Sequence, residues 1–300
     1  SLKSKSVSSV VAKASGAHHV PFTLTKKDFD DNLDTALAAM DQPSTDGLNS
    51  FFVCRQARAA GLTVALSGLG ADELLGGYPS FQYRHYVDRL RLLPKTFLRN
   101  SVRFLDQKWQ KAAFLSLPGA LGEYLFYRGL FHPADTAAIL GCTEAEVWQV
   151  LENLHDTEDP GDLKGAARVS WIEQHYYMQN QLLRDTDAMS MWHSLEVRVP
   201  FLDRNFIATC KALGDAVYDT QPPKKVLIDA FPELPRMVWD RPKRGFTLPF
   251  EQWLRKNERF NTLGAVHQRF EKGQLSWSRL WATYLSQQSA VDSRQSVKQY

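Results

Sequence analysis

One short stretch of this sequence carries residues that could bind a phosphate group. The apolar run at residues 62–66 is short and aliphatic, which is typical of a strand buried on both faces of a parallel sheet. A turn of small residues follows, with Ser67, Gly68 and Gly70. Open α/β sheets bind ligands at the carboxyl ends of their strands, and glycines there let backbone amides approach a ligand closely.

Two carboxylates, Asp72 and Glu73, follow this turn directly. Carboxylates beside an amide-lined turn suit a hard cation such as Mg²⁺, held between the protein and substrate phosphates. Acidic residues also favour the first turn of any helix, whether or not a metal is present. On the residues alone, two interpretations stay open: a magnesium site, and a plain connection with a solvated acidic helix start.

The elements around this stretch predict an α/β unit. Residues 19–24 are predicted to form a short strand, and Thr25 with Asp28 forms a capping-box pattern at the start of an amphipathic helix. A second helix is predicted over residues 48–61. Helices that lie between strands in the chain are typical of the crossover connections of a parallel sheet.

Beyond residue 80 the pattern becomes helical. Residues 80–160 contain aromatic-rich helical segments without strand alternation, among them one with Thr143 and Glu146 as a second capping box. A long helical pattern follows at residues 163–191. We therefore predict an α/β fold in which a parallel-sheet core is followed by a predominantly helical region.

Two later stretches place charges in unusual surroundings. Residues 182–203 set several charged side chains among apolar ones, and a buried ion-pair network that includes Glu196 and Arg198 is the structural explanation. At residues 241–249, Lys243 lies between a proline and a glycine in a cationic loop. Such a lysine could neutralise charge on a leaving pyrophosphate, and a solvated basic loop is the alternative.

Composition narrows the function classes. Hydrophobic residues make up 44% and charged residues 23%, and the net charge of +3 is small and dispersed, so we expect an ordinary globular protein that binds no nucleic acid. The three cysteines are scattered without CxxC spacing, which favours free thiols in a reducing compartment over a zinc site. No bilayer-spanning stretch or secretory segment is evident. We expect a cytoplasmic protein with small-molecule substrates and no membrane contact.

Three stretches, in this order, resemble signatures of the glutamine-dependent asparagine synthetase family. They are SGLGADELLGGY at 67–78, the run that ends in EVRVPFLD within 182–203, and RPKRGF within 241–249. The resemblance covers nearly the whole chain. It implies an adenine-nucleotide α-hydrolase-like parallel-sheet core, of which residues 1–80 would be the remaining part, and a mainly helical remainder of the same synthetase domain at 81–300.

The resemblance also implies a reaction. In this family, ATP activates a carboxylate as an acyl-adenylate with release of pyrophosphate, and ammonia drawn from glutamine then forms the amide. The expected cofactors are ATP and Mg²⁺, and the expected partners are aspartate or another carboxylate and glutamine-derived ammonia. A homodimer is left open.

For the turn at 67–78, the resemblance implies nucleotide and metal contacts. Ser67, Gly68 and Gly70 are similar to residues that contact the nucleotide through a hydroxyl and backbone amides. Asp72 resembles a magnesium ligand on the pyrophosphate side, with Glu73 behind it as the second metal-site residue.

The resemblance implies further roles outside this turn, and two departures limit it. Lys243 is similar to the catalytic lysine that stabilises charge during adenylation, and Arg184 and Asp185 would lie near the acceptor. Leu69 stands where the family has a glutamate, and Ile228 where it usually has an arginine. Leucine can neither accept a proton nor orient an ammonium ion, so both departures bear on aspartate as the acceptor more than on adenylation.

Two family features are missing from the 300 residues: the serine-diglycine-x-aspartate-serine pyrophosphate loop and an N-terminal cysteine. We expect the first strand and its loop to precede Ser1, and a fragment that does not turn over alone. Two functions remain. One is an amide-forming ligase, either for asparagine or for another acceptor, as in lasso-peptide cyclases and β-lactam synthetases. The other is a catalytically silent nucleotide-binding or interaction domain.

Overall fold

The computed structural model describes residues 2–154, 160–218, 220, 222–240, 248–255 and 257–297. The chain forms two compact units. The first contains Ser1–Ala39, Asn49–Phe81 and Ala166–Thr247, and the second contains Met40–Leu48, Gln82–Gly165 and Leu248–Tyr300. These units divide the chain elsewhere than at residue 80, and the division into 1–80 and 81–300 stays a prediction.

Most of the described chain is helical. The α-helices are α1 (Leu2–Ala14), α2 (Lys26–Ala38), α3 (Gly47–Ala59), α4 (Ala71–Leu74), α5 (Ser80–Leu90), α6 (Lys95–Asn100), α7 (Gln107–Gln110), α8 (Gly119–Arg128), α9 (Pro133–Leu140), α10 (Glu144–Asn153), α11 (Gly165–Ile172), α12 (Arg184–Trp192), α13 (Arg204–Leu213), α14 (Lys225–Ala230), α15 (Arg236–Trp239), α16 (Phe250–Arg255), α17 (Ala265–Glu271) and α18 (Trp277–Val297). Short 3₁₀ helices cover Val102–Phe104, Lys111–Ser116, Pro200–Leu202, Gly214–Val217 and Glu258–Leu263, and a π-helix covers Glu173–Leu183. No described helix is apolar over a length that could cross a membrane.

A small parallel sheet lies in the first unit. Its strands are β1 (Val64–Leu66) and β2 (Glu196–Arg198), paired in the register Val64 with Glu196 and Leu66 with Arg198. Within the described residues the sheet has these two strands. The predicted parallel sheet is thus present, and its second strand comes from far along the chain.

Two predictions about strands are wrong. The side chains of Val64 and Leu66 are 40% and 74% exposed, so β1 is not buried on both faces. Residues 19–24 form no strand, because a strand requires a neighbour to satisfy its backbone hydrogen bonds and none of the described strands pairs with this segment.

The helix starts follow the local sequence. At α2, the backbone N–H of Thr25 donates to Asp28 Oδ2 at 2.9 Å, and the N–H of Asp28 donates back to Thr25 Oγ1 at 3.2 Å. Thr143 and Glu146 make the same reciprocal bonds at α10. Both predicted capping boxes are confirmed, because their partners lie only three residues apart.

Residues 165–192 form one continuous helical run, as the sequence predicts, with an unexpected change of pitch. α11 passes into the π-helix at Glu173, and the π-helix passes into α12 at Arg184. π-helical segments are rare and occur frequently at functional sites. The run buries a polar set among its apolar contacts: Ser170, Glu173, Asp185 and Ser190.

The second unit has its own core. Phe114, Leu117, Phe126 and Trp148 are buried together in one apolar cluster. Elsewhere in this unit, the indole N–H of Trp281 donates to the carbonyl oxygen of Ser44 at 2.8 Å. All the candidate site residues that the structure describes belong to the first unit.

Candidate functional site

The carboxyl ends of β1 and β2 lie side by side, because the strands are parallel and in register. The backbone N–H of Ser67 donates to the carbonyl oxygen of Arg198 at 2.8 Å, which continues the ladder by one bond. The chain then leaves the sheet, and the N–H of Leu69 donates to Ser67 Oγ at 3.4 Å. Pairing of the strands therefore brings the stretches 67–78 and 182–203 together at one edge.

Gly70 packs directly against the second of these stretches. Its φ is +95°, a left-handed conformation that favours glycine, and it precedes α4. A Cβ atom at this position would lie 2.5 Å from Leu202 Cδ2. Gly70 is thus required both by its backbone and by contact with the VPFLD segment, whereas Gly68 has open space around its Cα. The open side of Gly68 leaves room for a ligand.

The carboxylate of Asp72 is held from two sides. Its Oδ1 accepts a hydrogen bond from Lys224 Nζ at 2.8 Å, and both side chains are only partly exposed. On the other side, a Cβ atom at Gly77 would lie 1.8 Å from the same Oδ1. The diglycine of the signature therefore makes room for this carboxylate. Sequence reasoning missed both contacts, and the second glycine was the available signal.

Glu73 lies in the interior. Its side chain is 1% exposed and its Oε1 accepts a hydrogen bond from the hydroxyl of Tyr78 at 2.7 Å. Burial raises the pKa of Glu73, the Tyr78 hydrogen bond lowers it in part, and the nearby carboxylates of Asp72 and Glu173 raise it further. Glu73 thus lies behind Asp72 and supports the turn through Tyr78.

A buried polar network connects the turn to the long helical run. Ser170 Oγ of α11 donates to the carbonyl oxygen of Glu73 at 2.7 Å. At the start of the π-helix, the fully buried carboxylate of Glu173 accepts a hydrogen bond from Ser80 Oγ at 2.5 Å. The Tyr78 and Tyr177 rings meet edge to face at 5.9 Å. These contacts fix the 67–78 segment onto the π-helix, which also packs against α4.

A family model described as asparagine synthase matches residues 5–290 of the chain. The chain belongs to the asparagine synthase family. A relative from Mycobacterium bovis named "putative asparagine synthetase (glutamine-hydrolyzing)" is 31% identical over 268 residues, which cover 82% of this chain and 39% of the relative. Asparagine synthetase (glutamine-hydrolyzing) 1 of Bacillus subtilis is 27% identical over 271 residues, which cover 84% of this chain and 41% of that protein.

The chain therefore spans about two fifths of the length of these relatives. No solved structure matches it. Family membership supports the resemblance of the sequence signatures, and the structure adds that two of the three meet at the edge of the β1–β2 sheet. The third cannot be placed in the same way, because residues 241–247, including Lys243, lie outside the described residues.

The remaining predicted residues lie on or next to the long helical run. Arg184 and Asp185 begin α12 directly after the π-helix, with Asp185 buried and Arg184 exposed. Their place near an acceptor stays a prediction. Glu196 and Arg198 form an ion pair at 2.8 Å, but it is exposed, so the predicted burial of this pair is wrong. Residues two apart on a strand point to the same face, and this face of β2 is open.

The residues at the turn fit a magnesium ion that is shared with a substrate. Mg²⁺ is commonly bound through one or two carboxylates together with waters and substrate phosphates. Asp72 offers one partly exposed carboxylate beside an open, glycine-lined turn. Among the described residues, no cluster of three or more His, Cys, Asp or Glu side chains could hold a metal alone. The donor set thus suits a metal that arrives with phosphate oxygens, and a direct metal contact by Glu73 stays a prediction.

Proposed function

We propose that the protein is an ATP-dependent amide-forming ligase, which adenylates a carboxylate, releases pyrophosphate and lets glutamine-derived ammonia form the amide. The observation that supports this most is the position of the family's 67–78 signature. Its open Gly68 and its carboxylate Asp72 lie at the carboxyl edge of a parallel sheet. Ligands of α/β sheets bind at this edge.

The residues divide the work as follows. The hydroxyl of Ser67 and the backbone amides at Gly68 and Gly70 bind the nucleotide phosphates. Asp72 holds Mg²⁺, which would neutralise charge on the pyrophosphate. Glu73 keeps Asp72 in place, because its buried carboxylate is hydrogen-bonded to Tyr78 directly behind it.

Three further residues complete the proposal outside the turn. Lys243 stabilises the charge that develops on the leaving pyrophosphate, and Arg184 and Asp185 lie near the acceptor. All three assignments are carried over from the family's motifs at the matching positions of this sequence.

The test is exchange of labelled pyrophosphate into ATP by the full-length protein, with aspartate and with other carboxylates. Lys243→Ala should abolish this exchange, because a cation at the departing pyrophosphate acts in the transition state. Lys225→Ala is the matched control, since Lys225 is exposed and pairs with Asp229 on its own helix. Full exchange activity in Lys243→Ala would refute the role of Lys243.

Leu69 favours an acceptor other than aspartate. Its side chain is partly buried in the turn and cannot ionise, whereas the family's glutamate at this position can. If aspartate is the substrate, Leu69→Glu should increase asparagine formation. No gain in asparagine, together with exchange driven by another carboxylate, would identify a relative with a different acceptor.

The same residue supports the second candidate function, a silent nucleotide-binding or interaction domain. In that case the full-length protein would bind ATP and show no carboxylate-dependent exchange at all. We further propose a reducing, cytoplasmic setting, because Cys54, Cys142 and Cys210 are all free thiols. Light scattering of the full-length protein would test for a homodimer.

A further inference from the structure

The ion pair between Lys224 and Asp72 differs from the other lysine–aspartate pairs of the described chain. It connects residues 152 positions apart, and both side chains are more than half buried, with 32% and 25% of their surface exposed. The other pairs join residues four apart on one helix surface: Lys26 with Asp30, Lys27 with Asp31, and Lys225 with Asp229. The ammonium group of Lys224 thus sits on the carboxylate that we propose as the magnesium ligand.

Both partners are held in place independently of each other. Asp72 Oδ1 lies against the backbone of Gly77, as described above. Lys224 has a left-handed backbone, with φ at +65°, one of two described non-glycine residues with positive φ. Leu227 then packs against the apolar cluster of Leu74 and Leu75 beside Asp72. The Lys224 backbone is therefore fixed close to Asp72, while its side chain has a flexible stem.

A magnesium ion and the lysine ammonium compete for the same oxygen. Both are cations, and two cations within a few ångströms of one carboxylate oxygen repel each other. A lysine is a mobile point charge that also binds phosphate. When Mg²⁺ arrives with pyrophosphate oxygens, Lys224 can keep a negative partner by turning from Asp72 to those oxygens.

We propose that Lys224 occupies Asp72 in the nucleotide-free protein and moves to the pyrophosphate oxygens when the magnesium–pyrophosphate group binds. This inference rests on the proposed function. It gives Lys224 two effects of opposite sign: it weakens binding of the metal alone and strengthens binding of the metal with pyrophosphate. A lysine that only ties two segments together would not produce this reversal.

The experiment measures metal binding by the full-length protein. Mn²⁺, which suits the same oxygen ligands as Mg²⁺, is titrated by electron paramagnetic resonance with and without inorganic pyrophosphate. Lys224→Met keeps the length of the side chain and removes its charge, and Lys225→Met is the matched control. Lys224→Asn is a second variant, because asparagine tolerates the left-handed backbone.

Both Lys224 variants should bind Mn²⁺ alone roughly two- to fivefold more tightly than the wild type, the range that a partly exposed ion pair supports, and should bind Mn²⁺–pyrophosphate more weakly by a similar factor. Lys225→Met should leave both affinities unchanged. Equal affinities in wild type and both Lys224 variants, or a change of the same sign in both titrations, would overturn the inference. If the wild type bound no Mn²⁺–pyrophosphate, the proposed function itself would fail.

Discussion

A methyl group at Gly77 would displace the carboxylate of Asp72 without disturbing the backbone. The φ of Gly77 lies outside the left-handed region, so alanine can adopt it, but the new Cβ would lie 1.8 Å from Asp72 Oδ1 and 2.6 Å from Cγ. Real Cβ atoms essentially never approach closer than 3.0 Å. The carboxylate must therefore move by more than 1 Å (about 3.0 minus 1.8 Å), away from the position in which Lys224 holds it.

The structure sets the size of two effects of Gly77→Ala. Forcing a methyl group into a packed contact costs about 1 to 3 kcal/mol of unfolding free energy, and loss of a partly exposed ion pair adds less than about 1 kcal/mol. Misplacement of a reacting group by about 1 Å can reduce the rate roughly 100-fold. We expect losses of this size in urea unfolding and in ATP–pyrophosphate exchange, respectively.

A double variant tests whether the damage acts through Asp72. Asp72→Ala removes Oδ1 and Cγ, the two atoms in conflict, so Asp72→Ala combined with Gly77→Ala should recover most of the lost stability and none of the lost exchange. Gly68→Ala is the matched control for stability alone, because nothing lies within 4 Å of a Cβ atom there. The reasoning is refuted if Gly77→Ala unfolds like the wild type, or if its stability loss persists unchanged in the double variant.

Three further predictions concern buried groups around the turn. Burial raises the pKa of Glu73, so the folded protein holds a proton there that the unfolded chain has lost; the stabilising contribution is complete below the unfolded pKa and disappears as pH rises to the folded pKa. The stability of Glu73→Gln relative to the wild type should therefore increase with pH across that window in urea unfolding, and a pH-independent difference would contradict it. Ser80→Ala removes a donor at 2.5 Å from the buried Glu173 carboxylate and should cost about 1.5 to 3 kcal/mol in the same assay, while an unchanged midpoint would show that another group replaces it. Gly70→Ala combines a left-handed φ with a Cβ atom 2.5 Å from Leu202 and should cost at least about 2 kcal/mol; Leu202→Ala in addition should relieve only the steric part.

The sequence allowed the local features to be predicted because their partners are close in the chain. The capping boxes at Thr25 and Thr143 need only a side chain three residues on. The strand that precedes Ser67 and the turn after it follow from an apolar run that ends in glycines. The motif order likewise indicated the family, which the match over residues 5–290 now shows.

Features that depend on distant residues could not be predicted. The partner of β1 is β2, more than a hundred residues later in the chain, and a run of three residues such as 196–198 carries too little pattern to be recognised as a strand. The exposure of Val64 and Leu66 contradicts their apolar character, because burial is decided by what packs on the sheet. The π-helical pitch of Glu173–Leu183 is likewise invisible to a periodicity argument that assumes 3.6 residues per turn.

The sequence by itself determined the chemistry that this protein offers: a hydroxyl, glycines and two carboxylates after a strand, in the order of one ligase family. Only the tertiary structure distinguished the two carboxylates. It leaves Asp72 partly exposed and paired with Lys224, and it buries Glu73 against Tyr78. The physical reason is that solvent exposure and charge pairing depend on contacts between segments far apart in the chain, which residue types and spacing do not specify.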